Sequence, residues 1–202
     1  MNLPNRLTVA RFFITLLFVA ALSSQWEFAY TAGLVLFIIA SVTDYLDGKI
    51  ARRQNLVTDF GKLMDPLVDK IMIAAAFICL ISTHTNNPEQ TRGAFPAWVA
   101  IVIISREFLI TGLRLLAASK GVVLPAEKLG KHKTIWQIVT VLYFLLLLAL
   151  SETLSPGWLG AWWPIAWKIG GTVLIAVATL LTLYSGLGYF WKNRAVISSG
   201  AM

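Results

Sequence analysis

Residues 44–69 read DYLDGKIARRQNLVTDFGKLMDPLVD, and the spacing of the acids in this stretch governs how the rest of the chain is read. On a helix, Asp44, Asp47, Gly48 and Ala51 stand at i, i+3, i+4 and i+7, so two acids and two small residues share one stripe. After a short polar turn, Gly61, Asp65 and Asp69 recur at intervals of four, again on a single stripe of the next helix. Two such stripes, facing each other, bring four carboxylates together.

The surroundings make that gathering costly. Of 202 residues, 57% are hydrophobic and only 13% charged, and the mean hydropathy of +0.73 is too high for an ordinary soluble domain. Apolar stretches near residues 8–24, 29–50, 63–82, 95–119, 134–151 and 164–190 predict an all-α membrane protein of six transmembrane helices in one domain, residues 1–202. The first stretch follows Arg6 and contains Arg11, and its end, Ala20-Ala21-Leu22-Ser23-Ser24, resembles a signal-cleavage region. An even helix count requires it as a membrane helix instead.

Basic residues set the expected orientation. With the N-terminus inside, Arg6, Arg11, Lys49, Arg52, Arg53, Lys62, Lys120, Lys128, Lys131, Lys133, Lys192 and Arg194 fall at or near the inner side, and Arg92 and Lys168 fall outside. The topology expected is N-in and C-in. Trp158, Trp162, Trp163 and Trp167 cluster at the outer end of the last helix, as headgroup anchors would. The net charge of +7 points to anionic lipid or phosphate and not to nucleic acid, because the bases lie between apolar runs. A single cysteine, Cys79, sits within an apolar run and reads as packing.

Four acids at membrane depth repel one another and lose hydration unless a counter-charge is present. Oxygen donors with no Cys or His beside them suit a hard ion, Mg²⁺ or Mn²⁺. Four carboxylates suffice for two ions, which can activate an attacking oxygen and stabilise a leaving phosphate. A solvated loop with scattered charge accounts for Asp59 but not for two matched pairs of acids. The small residues Gly48, Ala51 and Gly61 open space for a nucleotide diphosphate against the helix backbones, and Arg52 can reach a phosphate.

The pattern Asp44-x2-Asp47-Gly48-x2-Ala51-Arg52-x8-Gly61-x3-Asp65-x3-Asp69 resembles the signature of the CDP-alcohol phosphotransferases. The resemblance implies a six-helix membrane fold, a homodimer and a site open to the cytoplasmic face. It further implies that Asp44, Asp47, Asp65 and Asp69 ligate metal, that Asp69 also acts as general base, and that Gly48, Ala51, Arg52 and Gly61 line the CDP site. Residues 2–11, NLPNRLTVAR, and more closely residues 105–134 are similar to the bacterial phosphatidylglycerophosphate synthases within that family. CDP-diacylglycerol as donor, glycerol 3-phosphate as acceptor and the bacterial inner membrane follow as expectations. Asn5, Thr8 and Arg11 either touch the CDP phosphates or fix the first helix at the interface.

An anionic acceptor needs fixed positive charge beside the acids. Arg106, Thr111 and Arg114 fall on the inner half of the fourth helix, with the arginines roughly on one face, and Lys131 and Lys133 follow from the next segment. Anchoring by inside charge, with an Arg106 to Glu107 pair, is the plainer account of the same residues. Other acceptors within the family, namely phosphatidylglycerol, serine or an inositol phosphate, stay open, as does a cation transporter, since intramembrane acids also mark ion paths.

Overall fold

The computed structural model describes residues 3–24, 26–54, 59–83, 94–119, 121–122, 124, 128–154 and 162–194, and within these it places all side chains except those of residues 3–4, 46–54, 59–63, 128–129 and 131. Six helices account for nearly all of this: α1 (Leu3–Ser23), α2 (Ala29–Gln54), α3 (Asp59–Ile81), α4 (Ala97–Ser119), α5 (Lys128–Thr153) and α6 (Trp162–Lys192). Among the described residues there is no strand. The all-α reading and the helix order therefore agree with the apolar runs. The helices are longer than those runs at their polar ends: α1 begins at Leu3 and not near 8, and α5 at Lys128 and not near 134.

Each helix reverses the direction of the one before, which sorts the chain into two ends. At one end an aromatic core joins the bundle. Phe18 of α1 meets Phe37 of α2 at 5.8 Å between ring centroids, Phe77 of α3 meets Phe95 at 4.7 Å, and Phe144 of α5 meets Trp167 of α6 at 5.5 Å. Phe18, Phe37, Phe77 and Phe144 are all buried, as are Leu80, Val99, Ile103, Leu145 and Leu148 around them. Among apolar lipid tails such rings gain little from leaving their solvent, so it is their close packing against one another that joins the helices at this end. Cys79 is part of the same core. Residues 5–11, 44, 65–70, 106–114, 133–137 and 185–189 collect at the opposite end.

The outward faces are apolar as well. Phe13, Leu17, Ile101, Leu109, Leu180 and Leu187 are all exposed, which in water would leave an oily girdle but in a bilayer is the solvated state. By length and composition, Asn5–Ser23, His132–Thr153 and Trp162–Lys192 can each cross a membrane, and Ala29–Tyr45 is a shorter apolar run. Helices α3 and α4 carry Asp65, Asp69, Lys70, Arg106, Glu107 and Arg114 in their polar halves.

Two details fix the core end. Near the start of α6, residues Ala166–Gly170 form a π-helical turn, and the Tyr143 hydroxyl donates to the Ala166 carbonyl at 2.7 Å. The expected anchoring role of the tryptophans is only partly met. Trp162 is exposed, but Trp163 is buried and stacks on Trp167 with centroids 5.9 Å apart, so these two serve packing; Trp158 lies outside the described residues. The second detail is Glu152, near the end of α5, which caps α2. It accepts from the amides of Tyr30 and Thr31 at 2.6 and 2.8 Å, and from the Thr31 hydroxyl at 2.8 Å.

A helix N-terminus presents amides with no intrahelical partner, and a carboxylate there satisfies two donors and the dipole together. Glu152→Ala should therefore lower stability by about 1–3 kcal/mol, read as a depressed Tm in detergent micelles, with Glu152→Gln losing less.

Candidate active site

Three of the acids predicted from spacing, Asp44, Asp65 and Asp69, meet where α1, α2 and α3 converge, and an arginine from α1 stands among them. Arg11 has a fully buried side chain; its Nη1 donates to Oδ1 of Asp44 at 2.6 Å and to Oδ1 of Asp69 at 2.5 Å. Three residues earlier on α1, and so on the same face, Thr8 donates its hydroxyl to Asp65 Oδ1 at 2.5 Å. Asn5, a further turn back, is also buried. Asp44 and Asp69 stay about two-fifths exposed, so their outer oxygens face the open side.

Arg11 and Thr8 thus hold the acids directly. Their choice of partners could not be read from the sequence, because the contacts span 33, 58 and 57 residues. The i, i+3 spacing of Thr8 and Arg11 is the one signal that they act together. Asp47, Gly48, Ala51 and Arg52 follow Asp44 on α2, and Gly61 precedes Asp65 on α3, but their side chains lie outside the described residues.

The donor set fits a hard divalent ion, since it consists of carboxylates and a hydroxyl without thiolate or imidazole. Asp44 and Asp69 already converge on one positive point, the guanidinium nitrogen. Among the described residues, no three acids stand close enough to hold an ion in this arrangement.

Beside the acids, a cleft of about 220 Å³ opens between α3, α4 and α5. Its polar wall consists of Asp69, Lys70, Glu107, Arg114, Thr134 and Gln137; Pro66, Ile73, Ile103 and Phe108 supply an apolar wall. Asp69 belongs both to the acid cluster and to this cleft. Lys70 donates to the Thr111 hydroxyl, which in turn donates to the Glu107 carbonyl at 2.8 Å. Arg114 faces the cleft and is exposed.

Arg106 and Lys133 lie deeper. The Lys133 ammonium pairs with Glu107 Oε1, and its side chain is only 5% exposed. Arg106 donates to the same oxygen at 3.3 Å and, through Nη2, to Ser185 of α6 at 3.0 Å. A Cβ on Gly186 would stand 3.0 Å from Arg106 Cγ, so the missing side chain admits the arginine stem. Gln137 is fixed by its bond to Thr182, at 3.1 Å. The structure therefore brings Arg106, Thr111, Arg114 and Lys133 to one region, while the Lys131 side chain lies outside the described residues. Lys70, Glu107, Gln137 and Ser185 are additional to the set predicted from sequence. Lys70 had a signal, its place directly after Asp69; Ser185 had none. His132 is exposed, as expected of a solvated residue.

Residues 1–184 match the family model for CDP-alcohol phosphatidyltransferase. The chain belongs to that family. Among its curated relatives, the CDP-diacylglycerol–glycerol-3-phosphate 3-phosphatidyltransferase of Bacillus subtilis (strain 168) is 40% identical over 204 residues, covering 95% of each chain. The enzyme of the same name from Rickettsia felis is 36% identical, covering 94% of this chain and 93% of its own. A probable phosphatidylglycerophosphate synthase of Mycobacterium tuberculosis is 33% identical, covering 93% of this chain and 79% of its own. For a CDP-alcohol phosphatidyltransferase, an acid cluster that shares a residue with a cationic cleft is a suitable layout.

Arg11→Met would leave Asp44 and Asp69 facing each other without their common partner. Because both acids are partly exposed, the loss should be about 1–3 kcal/mol, below that of a fully buried pair. Adding Asp69→Asn should recover part of it, which a double-mutant cycle of thermal unfolding in micelles would measure.

Proposed function

We propose that this chain transfers the phosphatidyl group of CDP-diacylglycerol to glycerol 3-phosphate, giving phosphatidylglycerophosphate and CMP. The observation that carries the proposal is the position of Asp69, held in the acid cluster by Arg11 and lining the cleft that Lys70 and Arg114 make positive. The named activity of the relatives points the same way.

In this reading the glycerol 3-phosphate enters the cleft phosphate first, drawn by Arg114 and Lys70, with Arg106, Thr111, Lys131 and Lys133 completing the anion site. Its 1-hydroxyl then lies toward Asp69, which accepts the proton as the oxygen attacks the lipid-side phosphorus. A new phosphorus–oxygen bond forms, the bond to CMP breaks, and CMP leaves with the electron pair. Asp44, Asp47, Asp65 and Asp69 would hold two Mg²⁺ or Mn²⁺ ions, which supply neutralising charge to the diphosphate when bound. Gly48, Ala51, Arg52 and Gly61 would line the CDP site. Thr8 and Arg11 orient the carboxylates, and from that position they would stand beside the phosphates of CDP as well. Asn5 belongs to the same buried end of α1.

Six spans with both termini inside are supported by the alternation of helix direction and by the inward bias of basic residues. The site then faces the cytoplasm from the bacterial inner membrane, where glycerol 3-phosphate and the released CMP are soluble and the acyl chains stay in the bilayer. The whole chain forms one catalytic domain. A homodimer rests on the family resemblance. Asp44, Asp65 and Asp69 collect at one end of the bundle, and Glu152 at the other is taken up in capping α2, whereas a cation path would distribute acids across the bundle.

Purified protein in micelles, given CDP-diacylglycerol, Mg²⁺ or Mn²⁺ and glycerol 3-phosphate, should release CMP only when the acceptor is present. Faster release with phosphatidylglycerol, serine or an inositol phosphate would overturn the acceptor assignment. Asp69→Asn should lower turnover by about 10³-fold while the protein still folds. Arg114→Ala should raise KM for glycerol 3-phosphate by about tenfold, with kcat much less affected.

A further inference from the structure

We propose that Glu107 is a resident stand-in for the acceptor's phosphate, occupying Arg106 and Lys133 until a phosphorylated alcohol displaces it. The inference rests on the reading that the cleft receives a phosphate-bearing acceptor, and it adds a gate to that site.

Glu107 lines the cleft, but Arg106 and Lys133 do not; both bond to Glu107 Oε1 from behind. A phosphate entering the cleft therefore meets a carboxylate before it meets these two cations. Lys133 is nearly inaccessible and lies beside the like charge of Arg106, so an anion must accompany it in a medium of low dielectric constant. Glu107 meets that need when the cleft is empty.

The parts of this arrangement differ in freedom. Ser185 holds Arg106 from α6, and Gly186 seats its stem, so Arg106 cannot follow the carboxylate outward. Glu107 is joined to α4 through rotatable bonds and is bordered on one side by open cleft. The moving part is the Glu107 side chain.

The front of the cleft supplies the attraction. Lys70 and Arg114 line it and, among the described residues, neither forms an ion pair with a carboxylate. A phosphate monoester carries about −1.5 to −2 charges near neutral pH, against −1 for a carboxylate, and offers three strong acceptor oxygens. It can engage Lys70 and Arg114 and still outcompete Glu107 for Lys133 and Arg106. An uncharged alcohol cannot, and leaves the inner cations locked. Glu107 thus makes occupancy of the inner site conditional on a phosphate.

Isothermal titration of inorganic phosphate into the full chain in micelles tests this in wild type, Glu107→Gln, Lys133→Met and the double variant. Glu107→Gln should bind phosphate about tenfold more tightly than wild type, or about 1.4 kcal/mol. On the Lys133→Met background, the same substitution should gain clearly less, about threefold, because one of the two contested cations is gone and only Arg106 remains. An equal gain on both backgrounds would reduce Glu107 to through-space repulsion and overturn the proposal. So would unchanged or weaker binding by Glu107→Gln, which would make Glu107 a fixed anchor for the cations. If Glu107→Gln does not fold, Glu107→Asp keeps the charge on a shorter reach and should gain about threefold, with no gain overturning the proposal.

An activity arm separates this from the acceptor assignment. KM for glycerol 3-phosphate should fall in Glu107→Gln in parallel with phosphate binding. If wild type releases no CMP with glycerol 3-phosphate while the binding pattern holds, the acceptor assignment fails and the gate stands.

Discussion

One guanidinium nitrogen, Nη1 of Arg11, bonds Asp44 of α2 and Asp69 of α3 at once, and the layout of this protein depends on it. Without a positive group at that point, α2 and α3 would bring carboxylates together at membrane depth and repel each other. With it, three helices are joined at their polar ends by charge-assisted bonds, while Phe18, Phe37 and Phe77 join the same helices at the other end. The first helix is therefore a structural member of the site. Its contribution is a buried cation, delivered on the same face as Thr8.

The reversal of each helix gives the site its composition. Every helix passes through both ends once, so each can place one or two polar turns in the site and spend its remaining length on apolar packing. Helices α3 and α4 carry the most: Asp65, Asp69 and Lys70 on one, Arg106, Glu107, Thr111 and Arg114 on the other. Their charged halves are the reason that length and apolarity single out α1, α5 and α6 most readily as membrane-crossing helices. Charge that weakens the case for a span is the same charge that makes a site.

Six helices were legible because their apolar runs are separated by polar or Gly/Pro-containing links, and the acid stripes because i, i+3 and i+4 spacing is a local property. The polar ends were not. Residues 3–7 and 128–133 read as flanks because they lack apolar character, yet they are helical, since the turns facing the site need charge more than hydrophobicity. The bonds of Arg11 to Asp44 and Asp69 were not legible, because nothing local reveals partners 33 and 58 residues away. Trp163 looked like an anchor for the same reason: composition shows that an indole is near the headgroups, but only packing shows whether it faces lipid or Trp167. Arg106, Arg114 and Lys133 do lie in one region, while the division into a front pair at the cleft and a deeper pair behind Glu107 required coordinates.

That division reveals a common rule in the two halves of the site. Among the acids, the charge is met by Arg11; among the deeper cations, it is met by Glu107. Each of these two groups carries an internal counter-ion of the sign that its ligand would bring, while Lys70 and Arg114 at the front of the cleft have no carboxylate partner among the described residues. A ligand that displaced either counter-ion would exchange one ion pair for another, which would avoid much of the desolvation cost of creating a new one. The same exchange sets a threshold, because only a group with more charge or better geometry than the resident can take its place. A site built this way can rest stably in the membrane and still discriminate by charge, with Asp69 at the boundary where the two exchanges meet.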